Sequence, residues 1–386
     1  MKILQVHNYY QQRGGEATVV ALEKRLLEDQ GHELVSWSKD NAAIDKWPIT
    51  DKLKLMQSTA HSKKSALEFE KFLEQETPDI CHVHNFFPII SPSIYAICQQ
   101  HHIPVVQTLH NYRLICTNGL FFRNGAVCED CLGQSAYGAV RKKCYRNSAL
   151  QTWTVARMIE KNKKKGVWEQ EVDAYICLTE FARNKFIEHG LPAEKMVVKP
   201  NFIEEIAITN KSDKIKEVYF VFAGRLTTEK GVGLIAEIGR HSPYPIYVFG
   251  EGPERHQLEG IDQIFLQGNQ PRKVLFQKLK GAKALLFPSI WYEGMPMTIL
   301  EAFSLGRPVV SHELGAMSTL IRHGVNGLFA RANAQDWLNR MKEVATNRKV
   351  ANKLSQGARN DYENNYCKLV NYQQMMRIYE NVLAAK

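Results

Sequence analysis

Two glutamates, Glu293 and Glu301, stand eight positions apart in WYEGMPMTILEAF, Trp291 to Phe303. Gly294 and Pro296 lie between them, and an apolar run of helical spacing surrounds the second. One carboxylate is therefore expected in a loop and the other a turn inside the following helix, where they can serve two ends of one polar ligand. A pair of solvated charges is the plainer alternative. A cationic pair lies upstream, in FAGRLTTEKGVGLI. Arg225 follows a strand-like run directly, and Lys230 comes five residues later, beside Gly231 and ahead of a helix. A forked guanidinium and a mobile ammonium at one strand end fit a diphosphate. Neutralisation of Glu229 is the competing role.

Near the start, QQRGGEATVV places Gly14 and Gly15 ahead of a helix, whose first amides can point at a phosphate. The stretch lacks the full dinucleotide fingerprint and the P-loop Lys-Ser/Thr, so neither of those sites is indicated, and a ligand-free tight turn stays open. His84 and Asn85 in HVHNFFP, and His110 and Asn111 in QTLHNYR, end two further apolar runs. His110 has the chemistry to hydrogen-bond a sugar or to help a hydroxyl lose its proton. A structural histidine is the alternative for His110, and a core role for His84 and Asn85.

These residues need elements that bring strand ends together. Apolar runs of strand length recur at 2–8, 79–85, 104–111, 174–180 and 196–201, and again at 218–224, 245–252, 264–269, 283–289 and 308–313. Helical periods lie between most of them, for example Thr18 to Gln30, ending before Gly31, and Ser62 to Thr77, ending before Pro78. Such alternation predicts an α/β fold with parallel sheets covered on both faces. The polar stretch 203–218 reads as a linker between two doubly wound halves, and 334–386 as helical. Ligands of open parallel sheets sit at the carboxyl ends of strands, so two such edges facing one another would form a cleft.

With 386 residues and 44% hydrophobic content, the chain exceeds the size at which single cores stop growing. No run reaches about 18 apolar residues, and MKILQVHNYY is too soon polar for a signal peptide, so a cytoplasmic protein is expected. The net charge of +10 is concentrated in residues 105–165, with eleven Lys/Arg against three Asp/Glu. Arg141, Lys142 and Lys143, and Lys161, Lys163, Lys164 and Lys165 on a helix that opens with Trp153, suit an anionic membrane surface at the inner face of the membrane; a solvated helix face is the alternative. No nucleic-acid-binding pattern accompanies the charge. Four of the eight cysteines, Cys116, Cys128, Cys131 and Cys144, have spacings open to a structural zinc site or to free thiols.

Taken together, GGE, GRLTTEKG, FGEGPE and PSIWYEGMPMTILEAFSLGRPVV resemble the retaining glycosyltransferases of family 4, in order and over nearly the whole chain. The resemblance implies the GT-B fold: two Rossmann-like domains facing across a cleft, with residues 1–202 binding the acceptor, 203–366 binding the nucleotide-sugar donor, and the end of the chain, about 367–386, returning to the first domain. It implies Glu301 on the ribose, Glu293 by the hexose, and the amides of Gly294, Met295, Met297 and Thr298 around Pro296 near the sugar and diphosphate. Gly250 and Gly268 fall to the base pocket, and Glu16, His84, Asn85 and Asn111 to the acceptor. The departing diphosphate, UDP or GDP, is met by Arg225, Lys230 and Gly15 without a catalytic cofactor or metal. A lipid-linked or polysaccharide acceptor in bacterial surface glycan synthesis is implied. The family more often follows its histidine with Asp, whereas Asn111 stands here, which puts a His–Asp relay in doubt. An epimerase or phosphorylase on the same fold, and a catalytically silent nucleotide-sugar-binding partner of a glycan assembly, are the other readings.

Overall fold

The computed structural model describes residues 1–11, 14–206 and 217–385; Gln12 and Arg13 of the Gly-Gly loop and most of the predicted linker lie outside them. The chain divides into two compact units. The first comprises Met1–Phe121, Cys128–Pro200 and Asn371–Lys386, and the second Phe122–Val127 and Asn201–Val370. The strands in chain order are β1 (Lys2–Tyr9), β2 (Glu33–Asp40), β3 (Ile80–Asn85), β4 (Val105–Leu109), β5 (Phe122–Arg123), β6 (Ala126–Val127), β7 (Ala174–Cys177), β8 (Met196–Val198), β9 (Phe220–Ala223), β10 (Ile246–Phe249), β11 (Ile264–Gly268), β12 (Leu285–Phe287), β13 (Val309–Ser311) and β14 (Gly327–Phe329).

In the first unit the order is β2-β1-β3-β4-β7-β8, all parallel. Strands β3, β4 and β7 are buried at every position, as a sheet covered on both faces requires. The helix Lys63–Glu76 illustrates the local logic. The Ser62 hydroxyl accepts the Ser65 amide at 3.2 Å, Phe69 and Leu73 enter the core, and Thr77 ends the helix in the left-handed region ahead of Pro78. The final helix, Lys368–Ala384, packs in this unit: Asn371 donates to the Pro200 carbonyl at 2.6 Å, and the Tyr379 hydroxyl meets His82 Nδ1 at 2.6 Å.

The second unit repeats the architecture with the order β11-β10-β9-β12-β13-β14. Its strands thus run outward from β9 in one direction and from β12 in the other, and the reversal between them opens a crevice at their carboxyl ends. The helix Ala334–Thr346, capped by the Asn333 side chain on the Asp336 amide at 2.9 Å, buries Trp337 and Met341 against this sheet. Strands β2 and β14 lie at sheet edges and escaped the sequence reading. β2 is only half-buried and carries Ser, Lys and Asp, while β14 is three residues long. Among the described residues, no helix is long and apolar enough to cross a membrane.

Candidate active site

The second unit gathers its charges at that reversal. Lys230 follows β9 through the short turn Thr228–Lys230, and Glu293 follows the adjacent β12. Lys230 Nζ lies 2.6 Å from Glu293 Oε1, which also accepts from Ser289 Oγ at 2.5 Å and Trp291 Nε1 at 2.9 Å. The ammonium stands 5.7 Å over the Phe287 ring and 5.4 Å over Trp291. Two apolar faces and a carboxylate thus hold a mostly buried cation in one place. Gly231 makes this possible. It sits at φ +75°, and a Cβ there would collide with the Pro288 carbonyl, so β9 and β12 can approach only with glycine at this turn.

Arg225 is different: its side chain is largely exposed, with Glu229 at 3.5 Å as its ion-pair partner. It stands at the mouth of the crevice, where it can reach a second negative group. Gly250 and Gly268, at the ends of β10 and β11, have φ of +130° and +65°, and the Gly250 amide donates to the Gly268 carbonyl at 2.9 Å. A Cβ on Gly250 would strike the Gly224 carbonyl, so this rim is backbone only.

Glu301 lies in the helix Met297–Ser304 and is 1% exposed. Arg272 forms its ion pair, yet neither carboxylate oxygen has a hydrogen-bond partner. The ion pair offsets part of the cost of burying the carboxylate, and Oε2, without a hydrogen bond, is left for a ligand hydroxyl. Pro296 supplies no side-chain cap, so the first helical amides, of Met297 and Thr298, are open to an anion. Met295 anchors the loop, its sulfur accepting the Asn201 amide at 3.1 Å, and Gly294 is half-buried beside it.

The first unit holds the histidines. His110, half-buried after β4, directs Nε2 at His84 Nδ1, 3.1 Å away. His84 itself is fully buried, with Nε2 3.5 Å from Glu23 Oε2. Both His84 nitrogens face protein groups, His110 and Glu23, and the ring lines a small pocket together with His110, Asn111 and Tyr10. Asn85 is likewise committed to the fold, its amide donating to the Asn8 carbonyl at 2.9 Å and accepting from the Phe87 amide at 2.8 Å. Asn111 accepts the Arg113 amide at 3.0 Å and donates to the Tyr10 hydroxyl at 3.4 Å. Burial lowers His110 to about 3 and holds His84 well below the ordinary histidine range, so both are neutral near pH 7.

Glu16 occupies the first turn of the helix Gly15–Asp29, 3.7 Å from His7 Nδ1. Burial pushes its carboxyl up to about 8, against the pull of Asn85 and Arg113. Gly14 precedes it in extended backbone, and a Cβ there would touch nothing. The Arg113 guanidinium, a residue the sequence reading passed over, lies 4.7 Å over the Phe87 ring and 4.9 Å over Tyr145. Those two rings and Tyr10 also border a cavity of about 510 Å³, with Leu55 on its apolar wall and Lys52 and Arg146 among its lining cations.

The zinc expectation is not met. Among the described residues, the one set of ligand atoms within 4.8 Å of one another belongs to Glu23, His82 and His84. Cys116, Cys128 and Cys144 are near enough to reinforce the burial that pushes Cys131 up to about 12, but no three of the four thiols converge, and Cys116 Sγ is hydrogen-bonded to Asn118 Oδ1 at 3.0 Å. In that set both His82 nitrogens are already taken, by the Tyr379 and Thr108 hydroxyls, and Glu23 Oε1 by Lys199.

A doubly wound pair of units with a cation–carboxylate centre at a strand-order reversal is an arrangement that receives polar ligands at strand ends, and comparison gives the family. Residues 3–205 match glycosyltransferase family 4, residues 204–361 match the glycosyl transferases group 1, and the chain belongs to this family. The lipopolysaccharide 1,6-galactosyltransferase of Salmonella typhimurium is 25% identical over 56% of this chain and 64% of its own length. The amylovoran biosynthesis glycosyltransferase AmsK of Erwinia amylovora is 30% identical over 38% of this chain and 41% of its own. The matches thus span less than two thirds of either relative. The GT-B fold is also that of Anabaena HepE in complex with UDP and glucose (TM-score 0.67, 15% identity, 99% and 100% of the two chains). It is shared by sucrose-phosphate synthase from Thermosynechococcus elongatus (TM-score 0.70, 15% identity, all of both chains).

Proposed function

We propose that the protein transfers a hexosyl group from a UDP- or GDP-sugar to a lipid-linked or polysaccharide acceptor, with retention of configuration, in bacterial surface glycan synthesis. The observation that carries this reading is the Lys230–Glu293 pair at the β9/β12 reversal, beside a buried Glu301 whose oxygens lack hydrogen bonds. Ribose hydroxyls would satisfy Glu301, and Arg225 and Lys230 would meet the charge that grows on the diphosphate as the glycosidic bond breaks. These cations supply the charge that a divalent metal supplies in other transferases, so the reaction proceeds without one. Glu293 orients the hexose. Gly14, where the protein's own packing tolerates a Cβ, fits a backbone kept clear for a ligand, and the first unit binds the acceptor through Glu16, Asn111 and His110. The names of the relatives, a galactosyltransferase and an amylovoran glycosyltransferase, support the surface-glycan setting.

The same reading places the protein at the inner face of an anionic membrane. Ile49 and Leu53 on the helix Ile49–Ser58, and Leu150 and Trp153 on the helix Ala149–Lys164, are exposed. Arg157 ties the two helices together, donating to the Gln57 carbonyl at 2.9 Å. Exposed apolar side chains on these helices, with Arg157 5.7 Å from the Trp153 ring and Arg141, Lys142, Lys143 and Arg146 shortly before the second helix in sequence, match the chemistry of an anionic bilayer.

The test is thermal stabilisation of the protein by UDP, GDP, UDP-glucose and GDP-mannose, with and without EDTA, followed by turnover of whichever donor binds. An EDTA-insensitive shift lost in Lys230→Ala is expected. Binding without turnover on any glycan acceptor would favour the silent partner, and no shift with any nucleotide would refute the donor site.

A further inference from the structure

Behind His110 the first unit buries more polar chemistry than packing requires. Glu23 and Lys199 are 1% and 0% exposed and form an ion pair at 2.7 Å, with Asn371 Oδ1 accepting from the same ammonium at 3.1 Å. Such a pair contributes little net stability once desolvation is counted, so its presence asks for another reason. The free oxygen of Glu23, Oε2, has no hydrogen-bond partner of full geometry and is turned toward His84 Nε2. Beyond His84 comes His110, whose Nε2 lies 3.1 Å from His84 Nδ1.

We propose that Glu23 and His84 are positioning residues that fix His110 as the tautomer whose Nδ1 carries a lone pair. This rests on the reading of His110 as a site residue. The protons can be counted along the line. An ionised Glu23 draws the proton of His84 onto Nε2. Gln5 Nε2 gives one proton to the Val20 carbonyl at 3.1 Å and, with its other proton free, lies 3.4 Å from the same nitrogen, so it competes with Glu23 there, and the carboxylate charge favours the proton on Nε2. His84 Nδ1 is then bare and accepts from His110 Nε2–H at 3.1 Å. The one nitrogen left to His110, Nδ1, is an acceptor, suited to a sugar hydroxyl that must be held as a donor. Lys199 keeps Glu23 charged, and so secures the direction of the whole line. His82 stacks 4.2 Å from His84, with its own nitrogens on Tyr379 and Thr108, which fixes the ring plane without joining the line. The C-terminal helix, through Asn371 and Tyr379, thus acts on His110 at one remove.

The experiment labels the histidines of the full chain with ¹⁵N and reads the His110 tautomer from long-range ¹H–¹⁵N correlations, assigned by its loss in His110→Gln. The wild type is expected to show Nε2–H alone. In Glu23→Gln the two tautomers should mix, and UDP-glucose turnover should fall about tenfold in kcat with the donor KM within about twofold. Because Glu23→Gln orphans a buried ammonium, Glu23→Gln/Lys199→Met, which removes both charges, serves as the foldable second variant and should show the same mixing. His84→Asn retains an acceptor near the position of Nδ1 and should restore more of kcat than His84→Leu. An Nδ1–H tautomer in the wild type, or an unchanged tautomer in the double variant, would overturn the proposal. A tautomer that behaves as expected while His110→Gln turns over normally would uphold the line and overturn the site role of His110, which separates the two claims.

Discussion

The two units solve opposite electrostatic problems with the same sheet. In the second, charged groups meet at the carboxyl ends of strands: Lys230 against Glu293, with Arg225 reaching outward and Glu301 held by Arg272. In the first, the groups nearest His110 are neutral histidines, and a buried ion pair, Glu23 with Lys199, stands behind them. A diphosphate needs charge already in place, because reorganising water during bond cleavage costs energy; a hydroxyl needs an oriented dipole. The contrast teaches that one fold supplies both by choosing which strand ends carry ions.

The sharpest way to break this comparison is to remove the second unit's cation. Lys230→Ala is expected to reduce kcat by about 10²- to 10³-fold while leaving the fold intact, since Ser289 and Trp291 still hold Glu293. Arg225→Ala should follow in the same direction, and near-normal turnover in either would remove the argument for charge at the reversal.

Acid should separate the units next. His7 and His189 are lowered to about 4 and His110 to about 3, with His82 and His84 well below the ordinary range, all chiefly by burial and all in the first unit. Their folded values lie under the unfolded one, so the unfolded chain binds more protons below about pH 6.5. The stability they confer is complete above that pH and is lost as pH falls, by up to about 1.4 kcal/mol per pH unit for each. In the second unit His312 is the buried histidine among the described residues. Hydrogen exchange at pH 5 should therefore show β3 and β4 opening well before β9 and β12; simultaneous opening would erase the distinction.

Glu301→Gln tests the ribose assignment. The donor KM should rise about tenfold, with kcat within about threefold, and a loss confined to kcat would move Glu301 from binding to chemistry. Glu16 runs against the histidines. Its folded carboxyl is raised to about 8, so its contribution is present below the unfolded value near 4.5 and is lost as pH climbs through 8. Glu16→Gln should match the wild type in melting at pH 4.5 and exceed it at pH 8.5, by up to about 5 kcal/mol. The smallest effect is expected from Trp291→Phe, which removes one of three donors to Glu293 and costs about 1 kcal/mol, or about fivefold in kcat/KM.

The buried strands were legible because a parallel sheet covered on both faces writes itself as repeated apolar runs, VYFVFAG and PIYVFGEG among them. Two of the four sheet edges were not, since β2 alternates Ser, Lys and Asp with its apolar residues and β14 is too short for a period. Lys230, Glu293 and Glu301 could be picked out because Gly and Pro around them mark where backbone must approach closely. Nothing comparable marks Glu23, which reads as one more charge on an amphipathic helix, or Lys199, at the end of MVVKP. They lie 176 positions apart and meet only when helix and strand pack. The cysteines erred in the other direction: their spacing suggested convergence that packing does not supply.

The sequence by itself determined the alternation of strands and helices, hence the two parallel sheets, and placed a cation pair and a carboxylate pair at strand ends. Local periodicity and turn chemistry act over a few residues, and a linear chain displays them directly. The tertiary structure alone decided that Lys230 and Glu293, 63 positions apart, share one proton-donor cluster. It also decided that the His84 nitrogens face His110 and Glu23 and that the last helix carries Asn371 to Lys199. Those outcomes depend on strand order, which arises from how whole faces bury one another and leaves no local signature.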